Sequence, residues 1–217
     1  MKKQYRSRIK EPVRRSVMKQ ALLISDSHNQ NEEMLALVEH FSDVDAIFHM
    51  GDIGNAGPLL TSKARCLTYV VRGNTDHDYE LPDHVAIDFA GKRVVATHGH
   101  RYLDYDVSDS LRYFGEENHA DVLLFGHIHR PVLMICTRNT TNGQMSMHEV
   151  KSGSGVIRTE SGMLICNPGS ISRPRQRDRK CTFAILRVDG DAVTIQHYAC
   201  SVDLHDILTV EEYQIET

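Results

Sequence analysis

The chain has 217 residues, 41% of them hydrophobic and 25% charged, which is the size and composition of a single globular domain. The formal net charge is −4, but residues 1–17 hold seven basic residues against one acidic residue, so the remainder carries −10. An acidic body has no general affinity for a polyanion, which argues against nucleic acid as a partner, and no apolar run is long enough to indicate a membrane span. We therefore predict a flexible basic extension over residues 1–17 and one folded domain over residues 18–217.

The five cysteines are scattered along the chain, and no two of them form a C-x-x-C pair. An odd, dispersed set argues for reduced thiols rather than for a disulfide framework. No hydrophobic segment follows the N-terminal charges, so the sequence predicts no secretory signal. We therefore expect a cytoplasmic protein.

From residue 20 onward, short apolar runs alternate with stretches in which apolar residues recur at helical spacing. The polar segment 138–162, rich in Gly and Ser, is predicted to be a long loop or hairpin, and Asn31 stands where a helix N-cap is expected. Alternating strands and helices predict an α/β fold with a substantial sheet. The predicted strands are 21–24, 46–48, 67–71, 85–89, 93–97, 122–125, 163–166, 183–188 and 192–197, and the predicted helices are 31–41, 59–65 and 107–119.

Five of the predicted strands end in a short polar cluster whose distinctive side chains are only Asp, Asn and His. In α/β folds the loops at the carboxyl ends of the strands converge on one crevice, so we expect these clusters to lie together. Imidazole nitrogens with carboxylate or amide oxygens, and no thiolate, form a ligand set for divalent transition metals. The clusters are Asp26-Ser27-His28, Gly51-Asp52, Gly73-Asn74, His98-Gly99-His100 and Gly126-His127-Ile128-His129.

The spacing within the clusters also suits metal binding. Side chains two residues apart project the same way in an extended chain, so the Asp-x-His and His-x-His clusters can each bind or flank one ion. Asp52 lies between the other clusters in sequence and is the natural bridging carboxylate. Two divalent ions, two carboxylates and a bridging hydroxide leave a positive centre that attracts phosphate, whereas a carboxylate in place of Asn74 would neutralise it. Each cluster alone is also explained by a turn, a cap or a polar pair, but five in succession favour a metal site.

These residues, in this order, resemble the calcineurin-like metallophosphoesterase superfamily, and the resemblance runs from about residue 20 to residue 198. It is strongest to the small YfcE-type phosphodiesterases, on the motifs Thr97-His98-Gly99-His100, Asn167-Pro168-Gly169-Ser170 and Arg173-Pro174-Arg175. The resemblance implies a two-sheet β-sandwich flanked by helices. It also implies two ions, one held by Asp26, His28 and His129 and the other by Asn74, His98 and His127, with Asp52 bridging them.

The activity that the resemblance implies is two-metal phosphodiester hydrolysis of a small phosphorylated substrate, through attack by a hydroxide that bridges the ions. Mn²⁺ is the first expectation for the metal, and Fe, Zn²⁺, Ni²⁺ and Co²⁺ suit the same ligands. Asp52 and Asn74 would take part in catalysis. Arg173 and Arg175 would clamp the phosphoryl group, although a role as solvated surface arginines stays open for both.

One position departs from the family pattern. Many members carry a histidine directly after the asparagine of the Gly-Asn cluster, taken as a general acid, but this chain has Thr75 there. Threonine is a poor proton donor, and general acid catalysis is worth about 10²–10⁴ in rate. The substrate then has a good leaving group or another residue donates the proton. His100 is our predicted catalytic residue for that role and His77 the second candidate, and a structural or surface role stays open for each.

Two other functions fit the same family. One is a protein-interaction scaffold, because the superfamily includes a retromer subunit that keeps the fold and binds proteins. The other is a nuclease, which the acidic body and the small size disfavour. Absence of metal from the purified protein would support the scaffold, and salt-sensitive binding of single-stranded DNA would support the nuclease. Family analogy adds the expectation of a homo-oligomer.

Overall fold

The computed structural model describes most of the chain between residues 18 and 215, with several gaps. The basic extension predicted over residues 1–17 lies outside the described residues, as does much of the segment 138–162. Within the described part, no helix is long and apolar enough to cross a membrane. The described residues are 18–103, 107, 109–138, 145–150, 154–158, 162–203 and 208–215.

Thirteen strands and three helices make up the described structure. In chain order they are β1 (Lys19–Ile24), α1 (Glu32–His40), β2 (Ala46–His49), α2 (Gly57–Lys63), β3 (Leu67–Val70), β4 (His84–Phe89), β5 (Lys92–Thr97), α3 (Asp109–Glu117), β6 (Val122–Leu124), β7 (Pro131–Arg138), β8 (Met145–Glu149), β9 (Ser154–Arg158), β10 (Gly162–Pro168), β11 (Cys181–Asp189), β12 (Ala192–Val202) and β13 (Leu208–Glu212).

The strands form two sheets. The first has seven strands in the order β13-β12-β11-β1-β2-β3, with β9 also paired to β12, and the second has six in the order β4-β5-β6-β10-β7-β8. β1, β2 and β3 run parallel to one another in the first sheet. In the second sheet β6 runs parallel to both β5 and β10. Parallel neighbours end at the same edge of a sheet, so the loops after these strands are brought together.

Alternate side chains along a strand pack into different layers of the fold. On β1, Ala21 and Leu23 pack into a cluster that also contains Leu124 of the second sheet, so this cluster fills the space between the sheets. The intervening residues Leu22 and Ile24 pack instead with residues of α1 and α2. Successive strand side chains point to opposite faces, so one short apolar run serves both layers. Each fully buried leucine or isoleucine contributes about 1.5–3 kcal/mol of transfer free energy.

The third helix covers the outer face of the second sheet. Leu111 and Phe114 of α3 pack against Val95 of β5 and Leu123 of β6. The order of layers is therefore helices, sheet, sheet, helix. This confirms the predicted α/β fold, a two-sheet β-sandwich flanked by helices.

The predicted elements match nine of the strands and all three helices to within a few residues, whereas β7, β8, β9 and β13 were not predicted. Strands β8 and β9 fall within the segment 138–162, and β7 and β8 pair antiparallel. β9 then crosses to pair with β12 of the other sheet. Asn31 is at the N-cap position of α1 as predicted, but its side chain makes no capping hydrogen bond and its Oδ1 is buried without a partner.

Candidate metal centre

The polar clusters predicted from the sequence meet at one end of the two sheets. Backbone hydrogen bonds join the loop after β1 to the loop after β2, from Asp26 N–H to the Gly51 carbonyl (3.1 Å) and from His28 N–H to the Asp52 carbonyl (2.8 Å). The backbone N–H of His127, after β6, donates to the Asp26 carboxylate at 3.1 Å. Loops from both sheets are thus tied directly to one another.

Four of the predicted ligands form one tight group. Asp26, His28, Asp52 and His129 each offer a ligand atom, and these atoms all lie within 4.8 Å of one another. The Nε2 atoms of His28 and His129 are 3.2 Å apart. His129 Nε2 lies 3.1 Å from Asp26 Oδ1, and His28 Nε2 lies 3.7 Å from Asp52 Oδ2. The nitrogens and oxygens therefore point at a shared volume rather than at solvent.

The orientation of His129 shows that this volume suits a cation. Its Nδ1 donates to the Arg173 carbonyl oxygen at 2.8 Å, and this bond turns Nε2 into the cluster. Asp26 is fully buried, and its Oδ1 has no hydrogen-bond partner. A buried carboxylate oxygen without a donor is costly unless a cation balances it. Two imidazoles and two carboxylates fit a divalent transition metal.

A second group adjoins the first across Asp52. The backbone carbonyl of Met50 lies 2.7 Å from Nδ1 of the buried His98, which makes Nδ1 the donor and leaves the Nε2 lone pair facing inward. That Nε2 lies 3.0 Å from Asn74 Oδ1 and 3.6 Å from Asp52 Oδ1. The ring of His127 lies 5.2 Å from the ring of His98. Acceptor atoms crowded at this distance again call for a cation between them.

The protonation states agree with these roles. Burial alone would raise the pKa of Asp26, but the neighbouring imidazole rings of His129 and His98 outweigh it and lower the pKa. Burial lowers the pKa of both His28 and His127, despite nearby carboxylates. The carboxylate is therefore ionised and the two imidazoles are neutral near pH 7, which is the form in which each binds a metal.

A cavity of about 400 Å³ opens over these groups. Arg173 and Arg175, predicted from the sequence as phosphate-binding residues, lie in its wall, and Arg179 was not predicted. His100 is not among the lining residues, although its ring lies 6.2 Å from the ring of His127. His77 is exposed and also does not line the cavity. The lining residues are His28, Asp52, Asn74, Thr75, His127, His129, Arg173, Pro174, Arg175 and Arg179.

The model of the calcineurin-like phosphoesterase superfamily domain matches residues 18–191, which is most of the chain. The chain belongs to this superfamily. The family resemblance found in the sequence motifs is thereby confirmed.

Relatives and solved structures agree with this assignment. The chain is 33% identical over 180 residues to a probable metallophosphoesterase, YsnB, of Bacillus subtilis, with 82% of this chain and 89% of the relative covered. A Streptococcus pneumoniae protein described as a predicted phosphoesterase superposes with a TM-score of 0.62 at 23% identity, over 91% of this chain and 99% of that one. Vps29 of Chaetomium thermophilum superposes with a TM-score of 0.64 at 17% identity, covering 91% and 95%. These two likenesses show a shared fold.

The backbone of this phosphoesterase is strained at the centre. Five of the seven predicted ligands have positive φ angles between 48° and 73°, namely Asp26, His28, Asp52, His127 and His129. The left-handed region costs a residue with a side chain about 1–2 kcal/mol, and Asp and His tolerate it better than most. Such strain persists only where surrounding contacts impose it, and it clusters at functional sites.

Replacing one strained ligand separates strain from metal binding. In metal-free protein, His127→Gly is expected to be more stable than His127→Ala by about 1 kcal/mol, because glycine adopts a φ of 73° without steric cost. Urea unfolding in EDTA measures the difference. Equal stability of the two variants would contradict the strain.

Sequence reasoning missed a residue that organises the site. Asp76 is 6% exposed, and its Oδ2 accepts hydrogen bonds from the backbone N–H groups of Asp52 (2.9 Å) and Gly73 (2.8 Å). Its Oδ1 accepts from the Gly54 N–H at 2.7 Å. One carboxylate therefore joins the loops after β2 and β3. The only signal in the sequence was an acidic residue two positions after Asn74, which turn chemistry also explains.

A buried histidine beside the centre predicts acid sensitivity. His49 is fully buried and has one described partner, Ser27 Oγ at 3.0 Å, and burial lowers its pKa from 6.5 to about 4. The folded state thus favours the neutral ring. Its contribution to stability is complete above pH 6.5 and falls by up to about 3 kcal/mol as the pH drops towards 4.

His49→Gln can keep the bond to Ser27 without titrating. The loss of unfolding free energy between pH 7 and pH 4.5, measured by urea unfolding in EDTA, is therefore expected to be smaller in His49→Gln than in the wild type. The other histidines titrate in both proteins and cancel in the comparison. Identical pH profiles would show that the ring does not titrate as a buried group.

Proposed function

We propose that the chain is a metal-dependent phosphodiesterase that hydrolyses a small phosphorylated molecule with two divalent ions, Mn²⁺ being the first candidate. The observation that carries the proposal is the buried Asp26 Oδ1, which has no hydrogen-bond partner and sits among inward-facing imidazole nitrogens beneath an arginine-lined cavity. Superfamily membership supports the phosphoesterase class.

The ligands divide into two sets that share Asp52. Asp26, His28 and His129 would hold one ion with Asp52, in agreement with the group of four whose ligand atoms lie within 4.8 Å. Asn74, His98 and His127 would hold the second ion on the other side of Asp52. When bound, divalent ions of this kind supply Lewis-acid activation of the phosphoryl oxygens and lower the pKa of a coordinated water.

The residues of the chain itself then bind and orient the substrate. Asn74 is exposed in the cavity wall, where its amide N–H can donate to a phosphoryl oxygen. Arg173 and Arg175 would neutralise the negative charge of the phosphoryl group. A cavity of about 400 Å³ admits a small molecule and excludes a folded partner. His100 does not line the cavity, and its assignment as the proton donor stays a prediction.

The test is hydrolysis of bis-p-nitrophenyl phosphate and p-nitrophenyl phosphate with Mn²⁺ or with EDTA. We expect Mn²⁺-dependent turnover that favours the diester and falls at least about 10³-fold in His28→Ala, since a lost ligand removes the ion and its activation of substrate and water. Mn²⁺ is also expected to raise the melting temperature of the wild type but not of His28→Ala. His40→Ala, which removes an exposed histidine of α1 outside the cavity, is the matched control and should behave as the wild type.

A negative result has a definite meaning. Folded protein that shows no turnover and no thermal shift with any of Mn²⁺, Fe²⁺, Zn²⁺, Ni²⁺ or Co²⁺ would refute the enzyme proposal. The interaction scaffold would then be the better interpretation, in line with the fold shared with Vps29.

A further inference from the structure

One loop beside the cavity is strongly basic. Residues 173–180 hold five Lys or Arg and one Asp, a net charge of +4, whereas residues 18–217 as a whole carry −10. Every second residue from Arg173 to Arg179 is an arginine. Such a concentration of positive charge in one loop of an acidic body favours the binding of an anionic group there.

Three of these arginines lie in the cavity wall, namely Arg173, Arg175 and Arg179. The candidate metal ligands His28 and His129 line the same cavity. One substrate in this cavity can therefore contact both the arginines and the candidate metal centre.

The basic loop is held in place by its own hydrogen bonds. Arg179 Nη1 donates to the Pro174 carbonyl at 2.8 Å, and the backbone N–H of Arg179 donates to the Gln176 carbonyl at 3.2 Å. The N–H of Arg175 donates to the carbonyl of His129 at 2.9 Å. The backbone of the loop and the guanidinium group of Arg179 are therefore held in place, which lowers the conformational entropy lost when the loop binds an anion.

The cavity wall also holds no spare proton donor among the residues that the structure describes. Its histidines are the candidate metal ligands, and the hydroxyl of Thr75 is a poor acid. Arginine stays protonated at neutral pH and does not give its proton to a leaving group. His100 lies outside the lining residues. An alkoxide leaving group would depart unprotonated from such a site, which is slow.

From the arginine wall and a cavity lining in which every histidine is a candidate metal ligand, we propose that the substrate is a phosphoanhydride, with a second phosphate held by Arg175 and Arg179. The proposal rests on the proposed phosphodiesterase function and narrows it. Hydrolysis of an activated aryl diester and hydrolysis of a diphosphate both release a weakly basic oxygen anion as the leaving group. A site without a general acid can therefore cleave both.

The reaction balances without a proton donor. The oxygen of water forms a bond to the phosphorus at the metal centre, and the bond from that phosphorus to the bridging oxygen breaks. The electron pair stays on the bridging oxygen, which leaves as part of the second phosphate, and the protons of the water pass to solvent. The guanidinium groups of Arg175 and Arg179 neutralise the charge that the departing phosphate gains.

The experiment compares ADP with the alkyl diester thymidylyl-(3′,5′)-thymidine and with bis-p-nitrophenyl phosphate, all with Mn²⁺. The kcat/KM for ADP is expected to exceed that for the alkyl diester at least about 100-fold, since only the alkyl diester needs a general acid. Arg175→Gln and Arg179→Gln are each expected to lower kcat/KM for ADP about tenfold, a larger factor than for bis-p-nitrophenyl phosphate. The matched control is Arg177→Gln, from the same loop but outside the cavity, and it should leave all three rates unchanged.

Binding gives a second readout that does not depend on turnover. Methylenediphosphonate, titrated calorimetrically into the Mn²⁺-loaded protein, is expected to bind about tenfold more weakly to Arg179→Gln than to the wild type or to Arg177→Gln.

Equal losses of affinity or rate in Arg177→Gln and Arg179→Gln would overturn the proposal, as would equal rates on ADP and on the alkyl diester. A hundredfold loss on the alkyl diester in His100→Gln would reveal a general acid and overturn it too. Failure to hydrolyse bis-p-nitrophenyl phosphate would refute the phosphodiesterase function itself, whereas its hydrolysis without a preference for ADP would refute only the phosphoanhydride.

Discussion

Asp76→Ala is expected to lower kcat/KM for bis-p-nitrophenyl phosphate at least about 100-fold, because displacement of catalytic groups by about 1 Å costs that much. The Asp76 carboxylate accepts three backbone hydrogen bonds, from Asp52, Gly54 and Gly73, and so holds the loops after β2 and β3 together. Without it, the predicted bridging ligand Asp52 and its neighbour Asn74 lose their common support. Three backbone N–H groups lose their acceptor, so the free energy of unfolding should also fall by about 3 kcal/mol.

Two further variants separate positioning from general instability. Asp76→Asn keeps one acceptor oxygen and is expected to fall between the wild type and Asp76→Ala in both kcat/KM and the Mn²⁺ concentration for half-maximal activity. Asp88→Ala removes an exposed carboxylate that accepts one bond, from the Gly91 N–H, in the β4–β5 turn, and it should not change the Mn²⁺ requirement. An Asp76→Ala protein with wild-type Mn²⁺ requirement and rate would show that the loops hold their geometry unaided.

The second large effect is expected at Gly73, immediately before the candidate ligand Asn74. A Cβ atom at this position would lie 2.0 Å from Asp52 Oδ1 and 2.3 Å from the Asp52 backbone nitrogen. Neither atom can move without displacing Asp52, the predicted bridging ligand. Gly73→Ala should therefore lower kcat/KM at least about 100-fold and reduce the Mn²⁺-induced rise in melting temperature.

Gly57→Ala is the control for the added methyl group. Gly57 begins α2, and a Cβ there would meet no atom within 4 Å. Its activity should equal that of the wild type, with a free energy of unfolding unchanged or slightly higher, because alanine favours a helix. If Gly73→Ala were as active as Gly57→Ala, the close approach of the two loops would not matter for function.

The sequence predicted that the candidate metal ligands lie together because strand ends are a property of topology. Short apolar runs reveal where strands stop, and parallel strands stop at the same edge, so Asp26, Asp52 and Asn74 could be placed together without coordinates. His98 and His127 follow β5 and β6 of the second sheet for the same reason.

Residues that act through folded loops escaped that reasoning. The role of Asp76 depends on a backbone approach between positions 24 residues apart, from Asp76 to Asp52, which no local pattern encodes. Arg179 reaches the cavity because its loop folds back through a φ of 55° and a bond to the Pro174 carbonyl. Strands β8, β9 and β13 are polar or lie at the edges of sheets, so they lack the apolar signal by which strands are recognised.

The order in which the chain is synthesised also matters for the centre. β1, which leads into Asp26, pairs on one side with β2 and on the other with β11. The pairing of β1 can therefore be completed only after residues 181–189 have been synthesised. The hydroxyls of Ser170 and Ser172 donate to the Asp26 carbonyl at 2.9 Å and 2.8 Å. All seven candidate ligands have been synthesised once the nascent chain reaches residue 129. That chain still lacks β11 and the two serine hydroxyls that hold the loop after β1. We expect metal loading to follow release of the C-terminal third from the ribosome rather than to guide the early steps of folding.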